Sequence, residues 1–260
     1  MIFESHAHYD NPQFYKDREA LFKKFPENNI QYVINVGADM RSSRLSIELA
    51  KRYPFLFATV GVHPHDVGDM KEEDLERLIH LAAYEKVVAI GEIGLDYYYD
   101  HAPRSIQKLW FREQLKLANE LALPVVIHSR EASQDTYDIL MEAKLHDEHN
   151  LDRPKGVIHC YSGHAEMALD YVKEGFMIGI GGVITFKNGK KLREVVEAIP
   201  LESIVVETDA PYLAPEPYRG KRNDSRYLKY IIEEIGKIKG RSPEDVEDIT
   251  YQNGKRLFFD

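Results

Sequence analysis

The segment Glu4-Ser5-His6-Ala7-His8 sets two histidines one residue apart at the end of a short apolar run. In extended chain, residues i and i+2 share a side, so His6 and His8 can aim two imidazoles at one cation. Other apolar segments end in similar residue types: Val60-Gly61-Val62-His63-Pro64-His65, Ala89-Ile90-Gly91-Glu92, Val125-Val126-Ile127-His128, Gly156-Val157-Ile158-His159 and Val205-Val206-Glu207-Thr208-Asp209. One such histidine would be an ordinary surface or core residue, but a set placed alike at the ends of strand-like segments is the pattern of a site. Imidazoles and carboxylates without thiolates suit Zn, Mn, Fe(II) or Ni, and Mg where substrate oxygens complete the shell. The donors outnumber what one cation takes. Two cations about 3.5–4 Å apart sharing a carboxylate use them all, and such a pair clamps a phosphoryl or carbonyl group and acidifies water, which makes the reaction class hydrolysis.

Eight strand-like segments carry these residues: 1–5, 31–36, 56–61, 87–92, 124–128, 156–159, 176–180 and 204–207. Between them run stretches with apolar residues three and four apart, such as Leu45, Leu49 and Ala50, or Leu109, Phe111, Leu115, Leu117, Ala118 and Leu121, the spacing of an amphipathic helix. Strands this uniformly apolar are buried on both faces, as in a parallel sheet covered by helices. Eight such units predict a single-domain α/β protein over residues 1–260, a (β/α)8 TIM barrel, whose carboxyl-end face would gather His6, His8, His63, Glu92, His128, His159 and Asp209. An open doubly wound sheet is the competing architecture, but the first strand is followed by His-Ala-His and not by a Gly-x-Gly-x-x-Gly turn.

The composition, 43 % hydrophobic in 260 residues, is enough for a sizeable core. No linker interrupts the chain, no apolar run approaches a membrane span, and the start lacks a signal-peptide pattern, so a cytoplasmic protein with no membrane association and no obligate protein partner is expected. Cys160 is the single cysteine, which excludes an internal disulfide. If His159 and Cys160 continue a strand they face opposite ways, and Cys160 is expected to pack away from the site.

Several motifs together resemble the TatD-type metal-dependent deoxyribonucleases of the amidohydrolase-like superfamily. They are Glu4-Ser5-His6-Ala7-His8-Tyr9-Asp10, Gly61-Val62-His63-Pro64-His65, Gly91-Glu92-Ile93-Gly94-Leu95-Asp96-Tyr97, Pro124 to Glu131, His159-Cys160-Tyr161-Ser162-Gly163, Glu207-Thr208-Asp209-Ala210-Pro211-Tyr212, Arg219-Gly220-Lys221-Arg222-Asn223 and Asn253 to Phe258. The likeness runs the length of the chain. Two positions depart from the family pattern: Glu4 stands where aspartate is usual, and Asp224-Ser225 where Glu-Pro is usual.

The resemblance implies that His6, His8 and Asp209 hold one divalent cation, that His128 and His159 hold a second, and that Glu92 bridges them, the ions being Mg, Mn or Zn. It implies Asp209 as general base, His63 as a hydrogen-bond donor to a scissile phosphate oxygen with His65 beside it, and cleavage of single-stranded DNA from a 3′ end. The net charge of −9 argues against a protein that coats nucleic acid, whereas a pocket enzyme needs only local positive charge. Arg219, Lys221 and Arg222, in a Pro- and Gly-rich loop after Asp209, are the expected phosphate grip, with Lys187, Lys190, Lys191 and Arg193 as a second cluster that ordinary solvation can explain. Tyr97, Tyr98 and Tyr99 are placed to stack on bases or to pack their loop. His80, His101, His146, His149 and His164 read as ordinary polar positions. The rival readings are a hydrolase of a small-molecule amide or ester, or a D-aminoacyl-tRNA deacylase, using the same dinuclear site; a non-catalytic metal-binding scaffold would leave Asp209 and His63 unexplained.

Overall fold

A computed structural model describes residues 1–146 and 153–259, so His149 lies outside the described residues. Eight parallel strands form one sheet in sequence order: β1 (Ile2–Ala7), β2 (Ile30–Asn35), β3 (Leu56–Val60), β4 (Val87–Asp96), β5 (Val125–Arg130), β6 (Gly156–Ile158), β7 (Phe176–Ile180) and β8 (Ile204–Val206). An isolated parallel bridge between Ala7 and Ala210 brings the last strand's end to the first, making a nearly closed (β/α)8 barrel. The helices on its outside include α1 (Arg18–Phe22), α2 (Met40–Arg52), α3 (Glu72–Ala82), α4 (Arg104–Glu120), α5 (Ser133–Ala143), α6 (Ala165–Lys173), α7 (Lys190–Ala198), α8 (Leu228–Lys239) and α9 (Pro243–Phe258). No helix among the described residues is long and apolar enough to cross a membrane.

Alternation along the strands sorts side chains between two apolar clusters. Val125 and Ile127, Ile158, Phe176 and Ile178, and Ile204 and Val206 belong to the larger cluster, while Val126, Val157, Met177 and Val205 belong to a smaller one with Phe3 and the α9 residues Tyr251, Leu257 and Phe258. Phe3 and Phe258 stack with ring centroids 5.8 Å apart, so α9 packs on β1. Continuing the same parity, His128, His159 and Glu207 follow Val126, Val157 and Val205. Strand alternation therefore aims the polar residues at the carboxyl ends of β5, β6 and β8 toward one space.

Helix α2 starts on a capping box, with the Asp39 side chain accepting from the amides of Arg41 and Ser42. Helix α4 buries Trp110, Phe111, Leu115, Leu117 and Ala118 but exposes Leu109, because the apolar stripe is narrower than the spacing implied. Two buried glutamines of α4 serve the site. Gln107 brackets Asp96, accepting from its amide (2.9 Å) and donating to its carbonyl (3.1 Å), and Gln114 does the same for Val62 (2.8 and 3.1 Å). These bonds fix the loop ends that carry Asp96 and His63.

Candidate active site

The carboxyl ends of the strands open into a cavity of about 810 Å³ lined by, among others, His8, His63, Glu92, His128, His159 and Asp209. His6 is buried directly beneath, its ring stacked on that of His159 with centroids 3.4 Å apart. Glu92, in β4 and almost fully buried, divides the histidines by its two oxygens. Its Oε2 lies 3.5 Å from His6 Nε2 and 3.8 Å from His8 Nε2. Its Oε1 lies 3.0 Å from His128 Nδ1, 3.6 Å from His63 Nε2 and 3.8 Å from His159 Nε2.

Asp209 reaches the Oε2 side because the chain after β8 turns back onto β1. Its amide donates to His6 O (2.9 Å), its φ is +54°, and the His8 amide donates to Ala210 O (2.7 Å). Its Oδ1 then stands 3.5 Å from His8 Nε2 and 3.9 Å from His6 Nε2. Close groupings of potential donor atoms are His6, His8 and Asp209 on one side and His63, Glu92 and His128 on the other, with His159 joining His6 and Glu207, or Cys160 and Asp209.

The bonds on the far ring nitrogens suit cation binding. His8 Nδ1 donates to Val36 O (2.9 Å), which leaves Nε2, facing His6 Nε2 at 3.1 Å, as the nitrogen that can ligate once its proton is lost. His128 Nε2 lies 3.0 Å from Asp96 Oδ2, and His159 Nδ1 lies 3.0 Å from Glu207 Oε1, an oxygen that also accepts from the Cys160 amide. A carboxylate or carbonyl behind a histidine fixes its orientation and raises its basicity as a ligand. Two converging imidazole nitrogens with lone pairs repel each other unless a proton or a cation lies between them, so this donor set fits a metal.

Protonation follows the same geometry. Burial opposes a charge on His8 and on His159, but for His8 the bond and charge of Asp209, and for His159 the charges of Glu207 and Glu92, outweigh it, holding these imidazoliums up to about 9 and about 10. Burial would raise the Glu92 carboxyl, yet the histidines around it hold it well below the usual carboxylate range; Asp209 is lowered in the same way, with His8 as the main partner. His63 is pushed well below the usual imidazole range by burial and then by His128, so it is neutral. Its Nδ1 accepts from the His65 amide (3.1 Å), which puts the ring proton on Nε2.

Asp96 and Glu207 are the site residues to which the sequence alone assigned no role. Asp96 Oδ1 accepts from the amides of Tyr98 and Tyr99, while Oδ2 serves both His128 and His65, the latter at 2.9 Å. The available signal was parity: Glu207 lies two residues before Asp209 at a strand end, and Asp96 closes an unusually long strand. Glu4 is buried, its carboxyl accepting from the amides of His6 and Thr208 and paired with the Thr208 hydroxyl, so it ties β1 to the turn that carries Asp209.

Two expectations are corrected, those for Cys160 and His101, and the basic loop stands apart from the cavity. Cys160 does not pack away from the site: β6 ends at Ile158, Cys160 takes φ +44°, and the turn brings it to the cavity lining, so strand alternation no longer applies. His101 also lines the cavity, its ring 4.5 Å from that of His65. Arg219, Lys221 and Arg222 are not on the lining. Arg222 makes a two-pronged pair with Asp17 (2.8 and 2.6 Å) and lies over Phe14, and Arg219 lies over Phe186. In the second basic cluster, Arg193 donates to the carbonyls of Ile184, Phe186 and Lys187. Tyr97 is tied by its hydroxyl to Asp135 (2.6 Å), whereas Tyr98 and Tyr99 are exposed and Tyr99 lines the cavity.

Residues 3–259 match the family described as TatD related DNase. The chain is 42 % identical over 258 residues to the uncharacterized metal-dependent hydrolase YabD of Bacillus subtilis, covering 99 % of each chain. It is 32 % identical over 262 residues to the 3′-5′ ssDNA/RNA exonuclease TatD of Salmonella typhimurium, covering 99 % of this chain and 98 % of that one. Its fold superposes on the crystal structure of the TatD homologue YjjV from Escherichia coli with a TM-score of 0.91 at 29 % identity, covering 99 % and 97 % of the two chains. With a histidine and carboxylate cluster at the carboxyl ends of its barrel strands, the chain belongs to the TatD related DNase family and is a metal-dependent hydrolase acting on ester bonds.

Proposed function

We propose that the enzyme cleaves phosphodiester bonds of DNA, working from the 3′ end of single strands with two divalent cations, Mg, Mn or Zn, per subunit. The observation that carries this reading is the division of the site by Glu92, whose Oε2 faces His6 and His8 while Oε1 faces His128 and His159. His6, His8 and Asp209 would hold one cation, His128 and His159 the other, with Glu92 between them. When bound, such a pair supplies polarisation of a phosphoryl group and acidification of water near neutral pH.

The protein's own groups complete the chemistry. Asp209, kept ionised and on the cavity lining, is the acceptor for the proton of the attacking water. Neutral His63 offers its Nε2–H to a phosphate oxygen as charge develops there. His65 binds Asp96 and so helps hold the carboxylate that orients His128, besides lining the substrate space. The names of the Salmonella and Citrobacter relatives as 3′-5′ ssDNA/RNA exonucleases support this substrate class.

A second reading, hydrolysis of a small amide or ester or of a D-aminoacyl-tRNA, draws on one observation: the basic loop of Arg219, Lys221 and Arg222 stands off the cavity. Cleavage of 3′- and 5′-labelled single- and double-stranded oligonucleotides across Mg, Mn and Zn, beside neutral amides and esters, separates the two. Stepwise shortening from the 3′ end is expected. Faster turnover of the neutral substrates would displace the nuclease reading.

A further inference from the structure

The cavity is lined by six carboxylates, those of Asp10, Asp39, Asp66, Glu92, Asp96 and Asp209, and among the described lining residues by one lysine or arginine, Arg130. It ends β5 two residues beyond His128, so by strand parity the two side chains leave the sheet on the same side, about 6.6 Å apart along the chain at roughly 3.3 Å per residue. Arg130 is exposed, whereas His128 is mostly covered, which puts the guanidinium toward the mouth and the imidazole at the floor. The Arg130 guanidinium carbon lies 4.2 Å from the Tyr98 ring centroid and 4.8 Å from that of Tyr99, and the two rings meet edge to face at 4.9 Å. Among the described residues no carboxylate pairs with it, although the chain carries 43 acidic residues. Arg222 and Arg226, by contrast, are each paired with an aspartate.

An arginine held by aromatic faces keeps its N–H fork free for an anion and loses little freedom on binding one. In a cavity otherwise acidic, a polyanionic strand needs a fixed positive charge away from the metal donors. We propose that Arg130, braced by Tyr98 and Tyr99, grips a backbone phosphate of the substrate strand adjacent to the one being cleaved. This inference rests on the nuclease reading and deepens it by moving the phosphate grip from the Arg222 loop to the end of β5.

The test compares wild type, Arg130→Ala and Arg130→Lys, loaded with Mn²⁺, on a labelled oligothymidylate and on thymidine 5′-(p-nitrophenyl phosphate), which has a single phosphodiester. Metal content and melting temperature are measured alongside. Arg130→Ala is expected to raise KM for the oligonucleotide by roughly tenfold or more while changing turnover little, the mark of a contact made equally in ground and transition states. Its salt dependence of oligonucleotide binding should flatten by about 0.7 in slope, one phosphate's share for a single strand. The single-diester substrate should be hydrolysed as by wild type, and Arg130→Lys should recover part of the lost KM because charge remains while the planar fork does not.

Unchanged KM and salt slope in Arg130→Ala, with wild type cleaving the oligonucleotide, would overturn the inference and leave the nuclease reading standing. An equal loss on both substrates overturns it too, since the guanidinium would then act on the reacting phosphate. Wild type that hydrolyses the single diester but neither binds nor cuts the oligonucleotide removes the nuclease reading, and the inference with it.

Discussion

At the scale of single residues, Glu92 is the most connected donor in the site, with five imidazole nitrogens within 4 Å of its two oxygens. Glu92→Ala is therefore expected to lower the occupancy of both cations, and His128→Ala chiefly that of one, as read by metal analysis after dialysis against limiting Mn²⁺. Two ions retained in Glu92→Ala would remove its bridging role. Protons compete with cations for the same nitrogens. His8 and His159, raised to about 9 and about 10, are protonated at pH 7, and Asp96 and Glu92 also raise His128 against its burial, while Glu92 and Asp209 are already ionised, so metal uptake at pH 7 should release at least two protons. Affinity should accordingly rise with pH and level off above about 10. Calorimetry in buffers of different ionisation enthalpy counts these protons, and a release near zero would contradict the assignment. The clustering of these imidazoles and carboxylates at one end of the barrel was legible in the sequence because each lies at or just beyond an apolar run. The roles of Asp96 and Glu207 were not, since parity places a carboxylate at a strand end without telling one that orients a histidine from one that faces a cation, and Cys160 was misread because its left-handed turn ends the parity argument one residue early.

At the scale of elements, the site depends on how closely β4 and β5 approach. Gly94 has φ +143°, and a Cβ there would lie 2.0 Å from the carbonyl oxygen of His128, its register partner. Gly94→Ala should cost about 3 kcal/mol from backbone strain and overpacking. Because the displaced strand carries His128, activity should fall by more than the unfolded fraction explains; denaturant titration and a rate measured well below the melting temperature separate the two effects. The eight strands were readable from uniformly apolar runs, as was the turn to helix after each. The run to Asp96 in β4 was not, because Gly91, Glu92 and Gly94 break the apolar pattern and the strand shifts register against β5 between Ile90 and Ile93.

At the scale of the molecule, the proposed cation donors come from β1, β4, β5, the end of β6 and the turn after β8, so metal binding there would join distant parts of one barrel. A ligand that binds only the folded chain at about a hundred times its dissociation constant adds roughly 2.7 kcal/mol. For a domain of this size Mn²⁺ should raise the melting temperature by roughly 5–10 °C over an EDTA-treated sample, and exhaustive chelation should abolish hydrolysis until metal is restored. Equal melting curves, or activity that survives chelation, would count against a metal held by these donors. The basic loop's position off the cavity lining is also set at this scale. Its sequence shows charge, but its pairing with Asp17, some two hundred positions away, is set only when the chain closes.

That closure has a consequence in time. In synthesis His6 and His8 precede Asp209, bonded through its amide to His6 O, by about two hundred residues. A growing chain thus carries these two imidazoles through about two hundred residues of synthesis without the carboxylate proposed to complete their set. A stalled chain ending at Ser203 should lack the high-affinity manganese uptake of the finished protein, and separately produced 1–203 and 204–260 segments should regain it only when mixed. Strong uptake by the first segment alone would show that the site matures before the barrel shuts.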